Sequence, residues 1–448
     1  DWMDIERLHS VHRIAATEKE ADTIAVNAGL DVHMHGPKFF DYVKEAVNEG
    51  KIPLARIDEA ASKILYAKFQ LGLFENRYVD PARIEKTLLK QEHRDLALDG
   101  ARKSIVLLKN EKKLLPLRKN LGSVFITGPN ADNQAILGDW SRLQPDDNVT
   151  TVLEGIRRAV SPQTRVDYLE SPSYHTMSAE LLAQAKQRAS QADVAVVVVG
   201  ENSIRTNNEK TSGENLDRAT LELAGQQLAL VQAVESAGKP VVVVLVNGAP
   251  IASEWTVANT EAILEAWEPG MYGGQAVAEV LFGDYNPSGR LPVTIPRSAG
   301  HLQVFYNHKP SITHRGKFYR SERTPLFEFG HGLSFTEFRY SDLTMKNTLG
   351  RTDDLEVSVT VENAGDVAGD EIVLVYINDV FSSVTTPVKK LVGFTRVSLA
   401  PKEKRAVSFT IKNEQFKLYD KAMNHVIEPG DFTILIGNGK LKATVTVR

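Results

Sequence analysis

Two unbroken runs of β-branched residues constrain the fold most. Asp193-Val194-Ala195-Val196-Val197-Val198-Val199-Gly200 and Pro240-Val241-Val242-Val243-Val244-Leu245-Val246-Asn247-Gly248 contain no alternating polar residue. A strand with one face in water alternates apolar and polar side chains, so a run without alternation has both faces covered. That is the condition of an inner strand of a parallel sheet with helices on each side. Ser123-Val124-Phe125-Ile126-Thr127-Gly128 and Ala262-Ile263-Leu264-Glu265-Ala266-Trp267 read as further strands, and residues 221–237 as an amphipathic crossover helix. Residues 98–300 therefore read as a doubly wound α/β domain, a fold whose ligands sit at the carboxyl ends of the strands.

Different textures flank this span. Residues 1–97 carry a mostly helical pattern. Within them Ala55-Arg56-Ile57-Asp58-Glu59-Ala60-Ala61-Ser62-Lys63-Ile64-Leu65 spaces its apolar residues three and four apart. Residues 3–28 read as one amphipathic segment, and residues 24–30 as a helix end or the approach to a strand ending at Asp31. Residues 301–345 read as an irregular connector rich in Gly, Pro, His and aromatics. In residues 346–448, Leu355-Glu356-Val357-Ser358-Val359-Thr360-Val361 alternates strictly. Six or seven such short strands over roughly 100 residues is the β-sandwich pattern. The whole length fits two or three domains.

Composition excludes several classes. The net charge of −4 favours neither nucleic acid nor an anionic membrane surface. No apolar run approaches the roughly 18 residues of a membrane span. Cysteine is absent, which removes disulfides, thiol catalysis and Cys-ligated zinc. There is no Gly-x-Ser-x-Gly elbow, no Walker A sequence and no Gly-x-Gly-x-x-Gly after a strand, so no cofactor is expected. A periplasmic or secreted location is the expectation.

Two places stand out for chemistry. The first is the long polar segment after Gly200, Glu201-Asn202-Ser203-Ile204-Arg205-Thr206-Asn207-Asn208-Glu209-Lys210-Thr211-Ser212-Gly213-Glu214-Asn215-Leu216-Asp217-Arg218. It leaves the carboxyl end of a core strand with little to bury, and loops of that length in compact domains are usually functional. A solvated charged loop is the plain alternative. The second is the start, Asp1-Trp2, a carboxylate followed by a large aromatic. His9, His12, His33 and His35 form a third group that could bind zinc through imidazole. They lack a His-Glu-x-x-His pattern, and their spacing also fits simple surface placement.

The motifs then accumulate in one order. Asp1-Trp2 and Ala28-Gly29-Leu30-Asp31-Val32-His33-Met34 come first. Ser104-Ile105-Val106-Leu107-Leu108-Lys109-Asn110, Leu114-Leu115-Pro116-Leu117, Gly128-Pro129-Asn130-Ala131 and Gly138-Asp139-Trp140-Ser141 follow. Next come Trp267-Glu268-Pro269-Gly270-Met271-Tyr272-Gly273-Gly274, Leu281-Phe282-Gly283-Asp284-Tyr285-Asn286-Pro287-Ser288-Gly289-Arg290-Leu291-Pro292 and Phe327-Glu328-Phe329-Gly330-His331-Gly332-Leu333-Ser334-Phe335. In this series the chain resembles glycoside hydrolase family 3, the β-glucosidase and β-xylosidase family, over essentially its whole length.

The resemblance implies the last part of a (β/α)8 barrel, an α/β sandwich domain and a fibronectin type III-like module. It implies a retaining, exo-acting hydrolase of β-linked glucosides or related sugars, acting on β-linked oligosaccharides or aryl glucosides. Asp1 would be the nucleophile. Glu214 would be the acid/base, because Ser212-Gly213-Glu214-Asn215-Leu216-Asp217-Arg218 resembles that segment in some members. Glu209 is the runner-up and Glu201 the third choice. Asp217 and Arg218 are expected to brace the loop by a salt bridge. Trp2 would be a platform for a sugar ring, and His33 would line the pocket or pack at the barrel mouth. No metal is expected, and a metal-dependent hydrolase using His9, His12, His33 and His35 is the lesser alternative, beside a non-catalytic carbohydrate-binding fragment.

A full barrel takes roughly 250 residues, far more than residues 1–97 supply. A companion N-terminal barrel segment is therefore an expected partner, and the chain alone is expected to be inactive. At Asp1 a free α-ammonium would favour the ionised carboxylate and obstruct substrate. A homodimer stays open.

Overall fold

The computed structural model describes residues 2–205, 208–302, 304–310 and 322–448. By contacts the chain divides into two units, Asp1–Lys90 and Gln91–Arg448.

The first unit carries helices α1 (Asp4–Ser10), α2 (Glu18–Asn27), α3 (Phe39–Asn48), α4 (Leu54–Gln70) and α5 (Arg83–Thr87), and no strand among its described residues. Residues 3–28, expected as one segment, form two helices. The chain turns between them, with Arg13 at φ 55°, and Thr17 restarts the helix by accepting the Glu20 N–H at 3.1 Å. Residues 28–31 are neither helix nor strand, and Asp31 is held by Arg56 and Lys63 instead. Val26, Ala46 and Ile52 form a small core with Phe39, Val43, Val47 and Ile57 around it. α4 contributes no fully buried residue, and Ile64, Leu65, Tyr66 and Phe69 on it stay exposed.

The second unit opens with α6 (Gln91–Ser104). β1 (Val106–Asn110), β2 (Ser123–Thr127), β3 (Arg165–Leu169), β4 (Val194–Gly200), β5 (Val241–Val246) and β6 (Ala262–Glu265) form one sheet in the order β1-β6-β5-β4-β2-β3. All neighbours pair in parallel except β1, which joins β6 antiparallel at the edge. Side chains alternate between two cores, as a pleated strand requires. Val194, Val196 and Val198 of β4 face the helices α7 (Val152–Ala159) and α11 (Gly273–Leu281). Ala195, Val197 and Val199 face α8 (Ala179–Ser190) and α9 (Gln227–Glu235). The crossover helix expected over residues 221–237 is confined to α9. Gly225, at φ +58°, packs so closely on His175 that a Cβ there would sit 2.4 Å from its Cα, so the approach to the helix is a tight turn. α10 (Glu254–Asn259) completes this layer.

The all-β part begins earlier than residue 346. β7 (Phe338–Met345), inside the span read as a connector, pairs with β9 (Leu355–Asn363), which pairs with β12 (Lys404–Ile411). The facing sheet runs β11 (Lys390–Leu399), β10 (Gly369–Asp379), β15 (Gly430–Ile436), β16 (Leu441–Val447), β8 (Thr348–Leu349). β13 (Leu418–Tyr419) and β14 (His425–Val426) make a small hairpin. Leu355, Val357, Val359 and Val361 are buried between the sheets, as the alternation required.

Candidate functional site

The segment after β4 lies at the carboxyl ends of the parallel strands, beside the loops that follow β2, β5 and β6. Gly200 ends β4 at φ +149°, against the Val246 carbonyl of β5. Glu201 is buried. Its Oε1 accepts from Arg218, and its Oε2 accepts the N–H groups of Gly248 and Ala249 at 3.1 and 3.3 Å. The expected Asp217–Arg218 brace is thus replaced: Arg218 turns inward to Glu201, and Asp217 faces solvent.

Within the loop, Asn202 and Thr211 exchange two bonds: the Thr211 N–H to the Asn202 carbonyl at 2.8 Å, and the Asn202 N–H to Thr211 Oγ1 at 2.9 Å. Glu209 accepts from Ser173 Oγ at 2.9 Å and from the Tyr174 N–H at 3.1 Å. The Ser173 hydroxyl holds its carboxyl below the usual range, against some burial. Gly213 allows a turn at φ +97°, and the Glu214 N–H that follows donates to Asp139 Oδ2 at 2.6 Å. Lys210 Nζ donates to the Glu214 carbonyl at 2.9 Å. The Glu214 side chain is half-exposed and pairs with Arg205, whose guanidinium lies 3.5 Å over the exposed Trp140 ring.

Below the loop lie two acids that the sequence reading passed over. Glu265, at the end of β6, is fully buried, and burial pushes its carboxyl up to about 8, against hydrogen bonds from the Trp267 N–H and Asn247. Burial also raises Glu268, which accepts from Ser203 Oγ at 2.5 Å. Their signal was present: both lie in the run 262–268, where a carboxylate interrupts an otherwise apolar strand end.

In the first unit, Asp1 lies outside the described residues, as do residues 206–207 of the loop and 303 and 311–321 of the connector. Trp2 is exposed, with its ring 4.6 Å from that of His35. His35 Nδ1 meets Glu6 Oε1 at 2.6 Å. The His33 side chain is buried against Phe39. Its Nδ1 accepts the His35 N–H at 3.1 Å, and its Nε2 lies 3.6 Å from Glu6 and 3.8 Å from Asp22. Burial lowers His33 and pushes Asp22 up to about 6, the Glu6 charge adding to the latter. His9 turns to the Ala15 carbonyl instead of joining this group. Among the described residues no group of three or more His, Asp or Glu could hold a metal ion. No helix is long and apolar enough to cross a membrane among those residues.

Comparison with known proteins agrees with this architecture. Residues 105–335 match the model of the glycosyl hydrolase family 3 C-terminal domain, and residues 371–440 match a fibronectin type III-like domain. A beta-xylosidase of Formosa agariphila is 36% identical over 98% of this chain and 62% of its own length. A periplasmic beta-glucosidase of Salmonella typhimurium is 35% identical over 95% of the chain and 60% of its own. The crystal structure of a beta-glucosidase from Listeria innocua in complex with glucose superposes with a TM-score of 0.91 at 31% identity. It covers 100% of this chain and 62% of that one. The chain thus spans about three-fifths of the length of the relatives it matches. With the first family model matching just over half of its residues, the chain belongs to glycosyl hydrolase family 3.

Proposed function

We propose that this chain is the C-terminal part of a retaining, exo-acting glycosidase that removes terminal β-D-glucosyl or related residues. Asp1 is the nucleophile and Glu214 is the acid/base. Asp1 attacks the anomeric carbon while Glu214 gives its proton to the leaving oxygen, and the glycosidic C–O bond breaks. Water then gives a proton to Glu214 and attacks the same carbon, which releases Asp1 with β configuration retained. Trp2, an exposed aromatic, stacks on a sugar face.

One observation carries the assignment of Glu214. Its backbone is fixed on both sides, by Asp139 and by Lys210, while its carboxylate stays half-exposed. Substrate entry exchanges the Arg205 contact for the leaving oxygen. Glu209 is occupied in tying the loop to Ser173 and Tyr174 through its carboxylate. The names of the Salmonella and Listeria relatives support a β-glucoside substrate, and the former supports a periplasmic location.

A companion barrel segment completes the site. The apolar side chains left exposed along α4 support it, as does the three-fifths coverage of the relatives. Turnover of an aryl β-glucoside by the 448-residue chain alone would overturn this part.

The deciding experiment is Glu214→Ala in the complete enzyme. Turnover of glucosides with poor leaving groups falls about 10²- to 10⁴-fold, the usual worth of a positioned general acid. Activated aryl glucosides lose far less, and azide partly restores them as β-glucosyl azide. Equal loss on both substrate classes without an azide response excludes Glu214 as the acid/base.

A further inference from the structure

The loop that carries Glu214 begins and ends on one bond. It leaves β4 at Glu201 and returns at Arg218, and the two side chains meet. Arg218 also donates to the Glu222 carbonyl at 3.1 Å. Glu201 is tied on every side. Its N–H donates to the Val246 carbonyl at 2.8 Å, its carbonyl accepts from Asn130 Nδ2 at 2.9 Å, and its second carboxylate oxygen accepts from Gly248 and Ala249. One buried residue thus connects the segments that follow β2, β4 and β5 to the far end of the loop.

Stability alone does not account for such a pair. Desolvating two charges costs about what their attraction returns, and apolar replacements are often neutral or better. A planar guanidinium with fixed donor directions adds geometry instead. Here it fixes residue 218 against residue 201 and thereby closes the loop between them. Inside that closure sit the Asn202–Thr211 bonds and the Asp139 contact to the Glu214 N–H.

We infer that Glu201 and Arg218 are positioning residues for the reaction: they close the base of the loop and set where the Glu214 carboxyl meets the leaving oxygen. Neither residue touches substrate. The inference rests on Glu214 being the acid/base.

Two measurements test it on Glu201→Gln, Arg218→Met and the milder Arg218→Lys. Amide hydrogen exchange needs no turnover and runs on the chain itself. At Asn202, Thr211 and Glu214 it accelerates at least tenfold in the first two variants, while the core amides of Val197 and Val243 hold. Arg218→Lys lies between these variants and the parent. Kinetics use the complete enzyme. There kcat for poor leaving groups falls about 10- to 100-fold, the scale of a displacement near 1 Å. KM stays within about twofold for these substrates, and kcat/KM for activated aryl glucosides, whose leaving group departs without a proton, is little affected. Unchanged exchange at the three amides overturns the closure. Equal losses on all substrates, tracking a lower melting temperature, reduce the pair to a stability role and overturn the inference. If Glu214→Ala itself shows no leaving-group discrimination while loop exchange still accelerates, the acid/base reading has failed. The positioning role then falls with it, and the loop closure alone survives.

Discussion

Gly213 shows how narrowly a single residue sets the candidate site. At φ +97° a side chain is strained, and a Cβ would sit 2.7 Å from Asp139 Oδ2, the atom that receives the Glu214 N–H. Gly213→Ala stores roughly 1–3 kcal/mol of strain in a partly buried turn. It should lower kcat on poor leaving groups together with a fall of a few degrees in the thermal midpoint; a lowered midpoint with intact kcat would contradict this. Glu265 makes a different prediction. Burial raises its carboxyl from 4.5 to about 8, so between those values the folded protein keeps a proton that the unfolded chain has released. Its contribution is fully present below about pH 4.5 and is lost as pH rises through about 8. Across that window stability falls by up to about 1.4 kcal/mol per pH unit. Glu265→Gln removes the slope, and Asn247 remains beside it as a polar partner at 3.2 Å. Urea unfolding at pH 5 and pH 8 should show the parent losing more stability than the variant; parallel losses would sink the argument. The sequence exposed Glu214 and Glu209 as candidates because they stand in a polar loop. It hid the partner of Arg218, because Asp217 is adjacent in the chain whereas Glu201 lies 17 positions back and is brought near only by the fold.

At the scale of elements, β4 and β5 were legible because burial on both faces leaves a direct trace in composition. β1 pairs antiparallel with β6, and strand direction leaves no such trace. β7 escaped notice because most of its residues are only partly buried or exposed, so it carries no clean alternation. The contact between α7 and α11 was equally invisible. Gly155 and Gly274 let the two helices touch backbone to backbone, and a Cβ on Gly155 would lie 2.1 Å from the Gly274 carbonyl oxygen. Neither backbone can yield without parting the helices, which cover one face of the sheet. Gly155→Ala should therefore destabilise by about 1–3 kcal/mol, the range for overpacking, or more. Denaturant unfolding reads this directly, and a change under about 0.5 kcal/mol, the range of neutral surface changes, would show that the helices can separate freely.

At the scale of the whole molecule, the run Asn286-Pro287-Ser288-Gly289-Arg290 is a joint. It belongs to the segment after α11, yet its alternate side chains reach the sandwich. Asn286 donates to the Ala368 carbonyl at 2.9 Å, Ser288 accepts from Arg396 at 2.5 Å, and Arg290 meets Glu371 at 2.5 Å. Tyr340 of β7 donates to the second oxygen of Glu371 at 2.7 Å. A stretch that reads as a family signature is thus explained by docking, with no contact to the loop of Glu214 required. Arg290 and Glu371 are both largely buried, so removing one leaves the other charge uncompensated, a loss of about 3–5 kcal/mol. The sandwich and the α/β domain fall in one compact unit, and this joint lies where they meet. Glu371→Ala should split their common calorimetric transition into two, whereas replacing both partners by apolar residues (Arg290→Met with Glu371→Leu) should largely restore one transition, since no buried charge is then left alone. If Glu371→Ala still melts in one transition near the parent temperature, apolar packing rather than this pair holds the sandwich in place. If the double variant is as weak as the single, the pair is needed for its hydrogen bonds to Tyr340 and the backbone as well as for its charge.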